Sequence, residues 1–190
     1  MMKYTAGFAM CGSFCTFSEV IPQIEKLVKD GINVVPIMSP VSWSTDTRFG
    51  TAADINAKVE DICGKKIIHT IEGAEPIGPK KLLDLLIVAP CTGNTLGKLA
   101  NGITDTSVTL AVKAHLRNER PVLLGVSTND ALAAAAKNIG LLMNCKNIFF
   151  IPMRQDAPQS KPNSVVADFT LAKSAADAAL EGKQLQPVLI

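Results

Sequence analysis

Apolar and polar positions along this chain switch repeatedly between two patterns. "YTAGFAM" (4–10), "LLDLLIVA" (82–89), "PVLLGVS" (121–127) and "NIFFIP" (147–152) are short, nearly continuous apolar runs, as expected of strands covered on both faces. "INVVPIMS" (32–39) predicts another strand, in which Pro36 points to an edge or a bulge. "KIIHT" (66–70) predicts a short one. Between the runs the period lengthens. Phe17, Val20, Ile21, Ile24, Leu27 and Val28 recur at helical spacing, with Gly31 where a C-terminal cap belongs. Thr16 and Glu19 have capping-box spacing, although Pro22 then falls inside the helix and removes a hydrogen bond. Ala52, Ile55, Val59 and Ile62 mark a second helix, stopped by Gly64. Further helices are expected at 94–101, 105–117, 130–143 and 170–182. The segment "RQDAPQSKPNSVVAD" (154–168) carries Pro158 and Pro162 without a clear period and predicts a long loop, and "KQLQPVLI" predicts a tail. Strand–helix alternation throughout predicts one α/β domain over 1–190, a Rossmann-like three-layer sandwich with a mainly parallel sheet.

In such sheets ligands sit outside the carboxyl ends of the strands. Those ends deliver "CGSFCT" (11–16), "SPVSWST" (39–45), "PCTGNT" (90–95), "STND" (127–130) and "PMRQD" (152–156). Small polar residues at one such turn serve merely as helix caps, but their gathering on one face predicts a phosphate- or cofactor-binding cleft. Gly12 and Ser13 precede the first helix and offer amides and a hydroxyl to a phosphate. No G-x-G-x-x-G follows the first strand and no G-x-x-x-x-G-K-[ST] occurs, so neither usual NAD binding nor a P-loop is expected.

Composition narrows the classes further. With 47% hydrophobic and 19% charged residues the chain has material for a real core. Its net charge of +2 comes from 19 basic and 17 acidic residues scattered along it, so no nucleic-acid or polybasic membrane footprint is expected. The start, "MMKYTAGFAMCG", reads as a strand entering a turn rather than a leader, and a cytoplasmic location is expected. Five cysteines and two histidines, with no standard zinc spacing, predict neither a disulfide framework nor a metal site.

Ala89-Pro90-Cys91-Thr92-Gly93-Asn94-Thr95, followed by Lys98-Leu99-Ala100-Asn101-Gly102-Ile103 and Asp105, resembles the signature of the FMN-binding flavoprotein family that includes cysteine decarboxylases and flavin prenyltransferases. That resemblance implies FMN as the cofactor. It assigns Gly12, Ser13, Ser39 and Ser42 to the phosphate end. Pro90, Thr92, Gly93, Asn94, Thr95, Ser127, Thr128 and Asn129 fall around the ring or ribityl chain. Asn94 is the best single candidate for a role in catalysis, since its amide both donates and accepts.

The decarboxylases carry a catalytic histidine upstream of the Ala-Pro turn. Counting back places Pro76 near that position and His69 several residues away, which removes the usual proton-transfer group. "STDTRFG" (44–50), "EPIGPK" (75–80), "KNIFFIPMRQDAP" (146–158), "KPNSVVAD" (161–168) and "LQPVLI" (185–190) resemble instead one branch of the family from spore-forming bacteria. That branch implies a subunit of a two-component oxidoreductase, with NAD(P) on the partner subunit and a small cyclic dicarboxylate as substrate. Arg48 and Lys161 are the candidate carboxylate contacts, whereas Lys98 and Arg154 are read as solvated surface charges. Cys91 has no visible base to make it a nucleophile, and His115 is read as packed or solvent-facing. Relatives form trimers that associate further, which implies a homo-oligomer here. The alternatives are a free-standing FMN-dependent decarboxylase or prenyltransferase, and a non-catalytic scaffold subunit.

Overall fold

A computed structural model describes residues 3–190; Met1 and Met2, the start of the expected N-terminal strand and turn, lie outside the described residues. The apolar runs form a parallel sheet in the order β2-β1-β3-β4-β5, with β1 at Thr5–Met10, β2 at Asn33–Met38, β3 at Leu85–Cys91, β4 at Val122–Thr128 and β5 at Ile148–Phe150. β3 is central, and every one of its residues is buried, which is why its sequence shows no alternation. Pro36 does lie on an edge strand. Its carbonyl faces outward to accept from the Ile68 amide at 2.9 Å, so its missing N–H also falls on the outer side, away from the β1 ladder.

Helices cover both faces of the sheet. α1 (Phe17–Lys29), α3 (Ala52–Cys63) and α8 (Ala172–Leu180) pack together on one. α4 (Ile71–Ala74), α5 (Gly93–Ala100), α6 (Ser107–Leu116) and α7 (Ala136–Met143) lie on the other. The three-layer α/β architecture expected from the sequence is therefore the one observed. α1 buries Phe17, Val20, Ile21, Ile24 and Leu27 on one stripe. Pro22 is accommodated because it and Ser18, whose carbonyl loses its amide partner, both sit on the exposed face. Gly31 and Gly64 follow α1 and α3 in left-handed conformation, as their C-terminal positions predict.

Several expectations are corrected. "KIIHT" contributes only a single bridge, Ile37 to Ile68, rather than a strand. Thr16 forms no capping box. Its hydroxyl donates to the Ser13 carbonyl at 2.8 Å, and a 3₁₀ turn at Phe14–Thr16 leads into α1. The helix expected from residue 130 begins at Ala136, after a run of turns, and a short helix α2 (Pro40–Ser44) follows β2. The largest difference is at 154–168. There the chain makes an antiparallel hairpin of β6 (Met153–Gln155) and β7 (Val165–Ala167), and β7 pairs with the end of β4 through Ser127 and Thr128. Strands of three residues are too short to show a period, and prolines in the connecting turn hid them.

Candidate functional site

In the order β2-β1-β3-β4-β5 the chain reverses direction of winding between β1 and β3, and a crevice opens at their carboxyl ends. A cavity of about 740 Å³ lies there, within the range of small-molecule sites. Its floor is built by three consecutive turns. Cys11 N–H donates to the Pro90 carbonyl at 3.1 Å, holding the ends of β1 and β3 together. The Ser13 and Ser127 hydroxyls meet at 2.8 Å, tying the turn after β1 to the end of β4 across β3. Thr92 caps α5 by accepting from the Thr95 amide. This leaves the first-turn amides of Gly93 and Asn94, and those of Gly12, Phe14 and Cys15, without acceptors among the described residues. All five residues line the cavity.

Side chains complete the walls. Asn94 and Asn129 are exposed and line the cavity, and no described residue hydrogen-bonds the Asn94 carboxamide. Thr128 donates its hydroxyl to Asp130, whose carboxylate lies close over Gly93. Arg48 lies 4.8 Å from the Phe49 ring centre, and both reach the cavity from the loop between α2 and α3. The β6–β7 hairpin overhangs from the other side with Asp156, Lys161, Ser164, Val165 and Val166. Lys161 pairs with Asp156 at 2.9 Å, and the hydrogen bond holds its ammonium above the usual lysine range.

Of the residues expected from the sequence, Gly12, Ser13, Thr92, Gly93, Asn94, Ser127, Thr128, Asn129, Arg48 and Lys161 come together on this cavity. Ser39, Ser42, Pro90 and Thr95 do not line it. The Ser39 side chain caps α2 by accepting from the Ser42 amide, and Ser42 is itself buried. Pro90 is inside β3. Thr95 turns inward, its hydroxyl donating to the Cys11 sulfur at 3.2 Å. Burial pushes the Cys11 thiol up to about 11 and the Cys91 thiol well above its usual value, so both stay neutral. Lys98 and Arg154 are paired elsewhere, with Asp105 at 2.8 Å and Asp168 at 3.4 Å.

The sequence reading missed Phe14, Cys15, Thr16, Phe49, Asp130, Asp156, Ser164, Val165 and Val166. Asp130 and Asp156 end the strand-end turns "STND" and "PMRQD" and could have been found there. The apolar members carry no mark that separates a cavity wall from core. His69 is not at this cavity. It stacks on Trp43 with ring centres 3.9 Å apart and lines a separate cavity of about 420 Å³ with Glu72 and Asp105. Pro76 lies in a 3₁₀ turn, Glu75–Ile77. Among the described residues no group of three or more His, Cys, Asp or Glu is placed to hold a metal, and no helix is long and apolar enough to cross a membrane.

Comparison with known proteins agrees with this geometry. The Flavoprotein family model matches residues 1–176. The dipicolinate synthase B subunit of Bacillus subtilis (strain 168) is 50% identical over 184 residues, spanning 97% of this chain and 92% of that protein. The crystal structure of the dipicolinate synthase B subunit from Bacillus halodurans aligns with a TM-score of 0.91 at 46% identity, covering 100% of this chain and 97% of that one. The FMN-dependent cysteine decarboxylase SpaF shares the fold at a TM-score of 0.66 and 21% identity, over 95% of this chain and 97% of its own. With the family match running from the first strand into α8, and the strand order and crevice that go with it, this chain belongs to the Flavoprotein family.

Proposed function

We propose that this chain acts as the B subunit of a dipicolinate synthase, working with a nicotinamide-dependent A subunit to oxidise dihydrodipicolinate to dipicolinate during sporulation. The observation that carries the reading is 50% identity to such a subunit along 97% of the chain. The reaction aromatises a nitrogen heterocycle that bears two carboxylates, so a hydride and a proton must leave. The site's task is then to orient a dianion and exclude water around it. Arg48 and Lys161 reach the cavity rim from two separate loops and supply the cations, Arg48 with the paired donors that suit a carboxylate. Phe14, Phe49, Val165 and Val166 give the apolar surface against which a flat ring would lie.

The donor set also fits the phosphate and ribityl end of FMN. Unpaired amides at Gly12, Phe14, Gly93 and Asn94 would hold the phosphate, and Ser13, Thr92, Ser127, Thr128 and Asn129 would hold the polyol. Bound FMN would supply a two-electron acceptor next to the heterocycle. The Asn94 carboxamide would position the substrate ring beside it. The decarboxylase alternative is weakened by His69 being locked against Trp43 outside this cavity, with a proline at position 76.

The first experiment is the visible absorption spectrum of the purified chain, with any released ligand identified by mass spectrometry and the apoprotein titrated with FMN. Dipicolinate formation is then followed with the A subunit added. Flavin binding, and at least tenfold slower two-subunit turnover in an Asn94→Ala/Arg48→Ala variant of unchanged fold, are expected. Full turnover by that variant would reduce this chain to a scaffold. A colourless protein that refuses FMN would place the hydride acceptor on the partner.

A further inference from the structure

The two cations at the cavity rim are not equivalent. Arg48 has no carboxylate within ion-pair distance among the described residues and rests on Phe49. Lys161 is already engaged by Asp156. Resting on the dicarboxylate reading above, we infer that Asp156 is a built-in competitor for Lys161, so that the second carboxylate of a ligand enters by exchange with a carboxylate of the protein.

The pair is placed for exchange. Its 2.9 Å contact is short, yet the Lys161 and Asp156 side chains are 56% and 40% exposed, so water reaches both partners and neither is trapped by desolvation. The turn that carries them does not depend on the contact. Asp156 N–H donates to the Ser164 carbonyl at 3.0 Å, Lys161 N–H to Ala157 at 2.8 Å and Ser164 N–H to Lys161 at 3.0 Å. The Gln155 carboxamide donates to the Pro162 carbonyl at 2.9 Å. Breaking the ion pair therefore frees an ammonium without unfolding the hairpin. Lys161 stays charged throughout, since Asp156 raises its proton affinity and a ligand carboxylate would do the same.

Selectivity follows from this asymmetry. A monocarboxylate is satisfied at Arg48 and leaves the Lys161–Asp156 pair alone. A dicarboxylate of matching span gains Lys161 as well, but only after displacing Asp156. Exposed pairs of this kind are worth about 1.5- to 5-fold in an equilibrium constant, so the competitor lowers dicarboxylate affinity by about that factor and monocarboxylate affinity hardly at all.

The test is calorimetric titration of the full chain with pyridine-2,6-dicarboxylate and with pyridine-2-carboxylate, with and without saturating FMN. It compares wild type, Asp156→Asn, Lys161→Met and the double variant. Asp156→Asn keeps a polar amide and is expected to tighten dicarboxylate binding by about 2- to 5-fold while leaving the monocarboxylate within about 1.5-fold. Lys161→Met is expected to bring the dicarboxylate down to the affinity of the monocarboxylate, and the double variant to show no gain over it. The sign is what separates competition from a structural role, because loss of a merely structural aspartate would weaken binding. If Lys161→Met loses affinity but Asp156→Asn is neutral or weaker, the competitor is refuted and the cavity reading stands. If the wild type binds neither compound, the cavity reading fails and the inference falls with it.

Discussion

His115 offers a test of the packing that needs no ligand. It lies in α6 on the sheet-facing side, 1% exposed, and its Nε2 has no hydrogen-bond partner. Burial, helped by the nearby positive charge of Arg120, pushes its pKa from the usual 6.5 down to about 4, against weaker support for the charged ring from Pro121 and Asp84. The ring is therefore neutral in the folded chain at pH values where the unfolded chain has already taken a proton. Its contribution to stability is fully present above the unfolded value and is lost as pH falls from 6.5 towards 4. Between about pH 7 and about pH 5 the two titrations imply a loss of about 2 kcal/mol, out of about 3 kcal/mol for the whole shift. Urea unfolding across that interval should show this slope in the wild type. The same series on His115→Asn, which keeps a side-chain donor, should be flatter by about 2 kcal/mol. Differences between the two proteins cancel His69 and the carboxylates, which both share. Equal slopes would mean that His115 is solvated or paired, and the packing described around α6 would be wrong.

Two further substitutions probe the close approaches that shape the sheet and the cavity floor. A Cβ at Gly93 would lie 2.8 Å from both the Asp130 carboxylate and the Thr128 hydroxyl, so that pair must retreat by about 0.6 Å to reach the 3.4 Å of ordinary contact. Gly93→Ala should leave thermal stability within about 1 kcal/mol, because alanine favours the helix, yet weaken FMN or dicarboxylate titration about tenfold or more; unchanged binding would show that this corner does not touch the ligand. A Cβ at Gly125 would meet Ala89, Ile151 and Phe169 at 3.0–3.1 Å inside the core, so all three must give way by a few tenths of an ångström. Gly125→Ala should cost about 1–3 kcal/mol and lower the melting temperature by about 3–10 °C, with no change in the spectrum of any bound flavin; a wild-type melting curve would refute the tight contact.

Much of the fold was legible because its signals are long. β3 is a seven-residue apolar run, α1 carries five core residues at one spacing, and both helix-ending glycines stand where the backbone turns left-handed. Of the residues named from the sequence, Asn94 and Asn129 line the cavity with side chains that have no partner among the described residues, whereas Thr92 lines it while also capping α5. Ser39, Ser42 and Thr95 do not reach the cavity. Ser39 and Ser42 look like ligand donors in sequence and spend themselves on capping α2, while the Thr95 hydroxyl is buried within 3.2 Å of both the Thr92 hydroxyl and the Cys11 sulfur. Ser164 and the valines of β7 were hidden for a different reason. Their place at the cavity depends on an antiparallel pairing with the end of β4, a contact between residues about forty apart that local patterning cannot register.

These two sources of residues divide the site's work. The parallel sheet contributes backbone: five strands end together, and the turns after β1 and β3 leave amides that no described protein group accepts. Such donors attract anions without specifying them, since an amide cradle does not distinguish one phosphate ester from another. Three of the four charged side chains come from appended loops, Arg48 from the α2–α3 connection and the Lys161–Asp156 pair from the β6–β7 hairpin, while Asp130 stands on the turn after β4. Hydrogen bonds between Thr47 and Gly50 and across the Ala157–Ser164 turn hold the backbone of each loop without help from these charges. Substitutions at the turns after β1 and β3 should therefore change whether a ligand binds, and substitutions in the loops should change which one. A loop exchange that altered the melting temperature as much as the ligand preference would contradict that division.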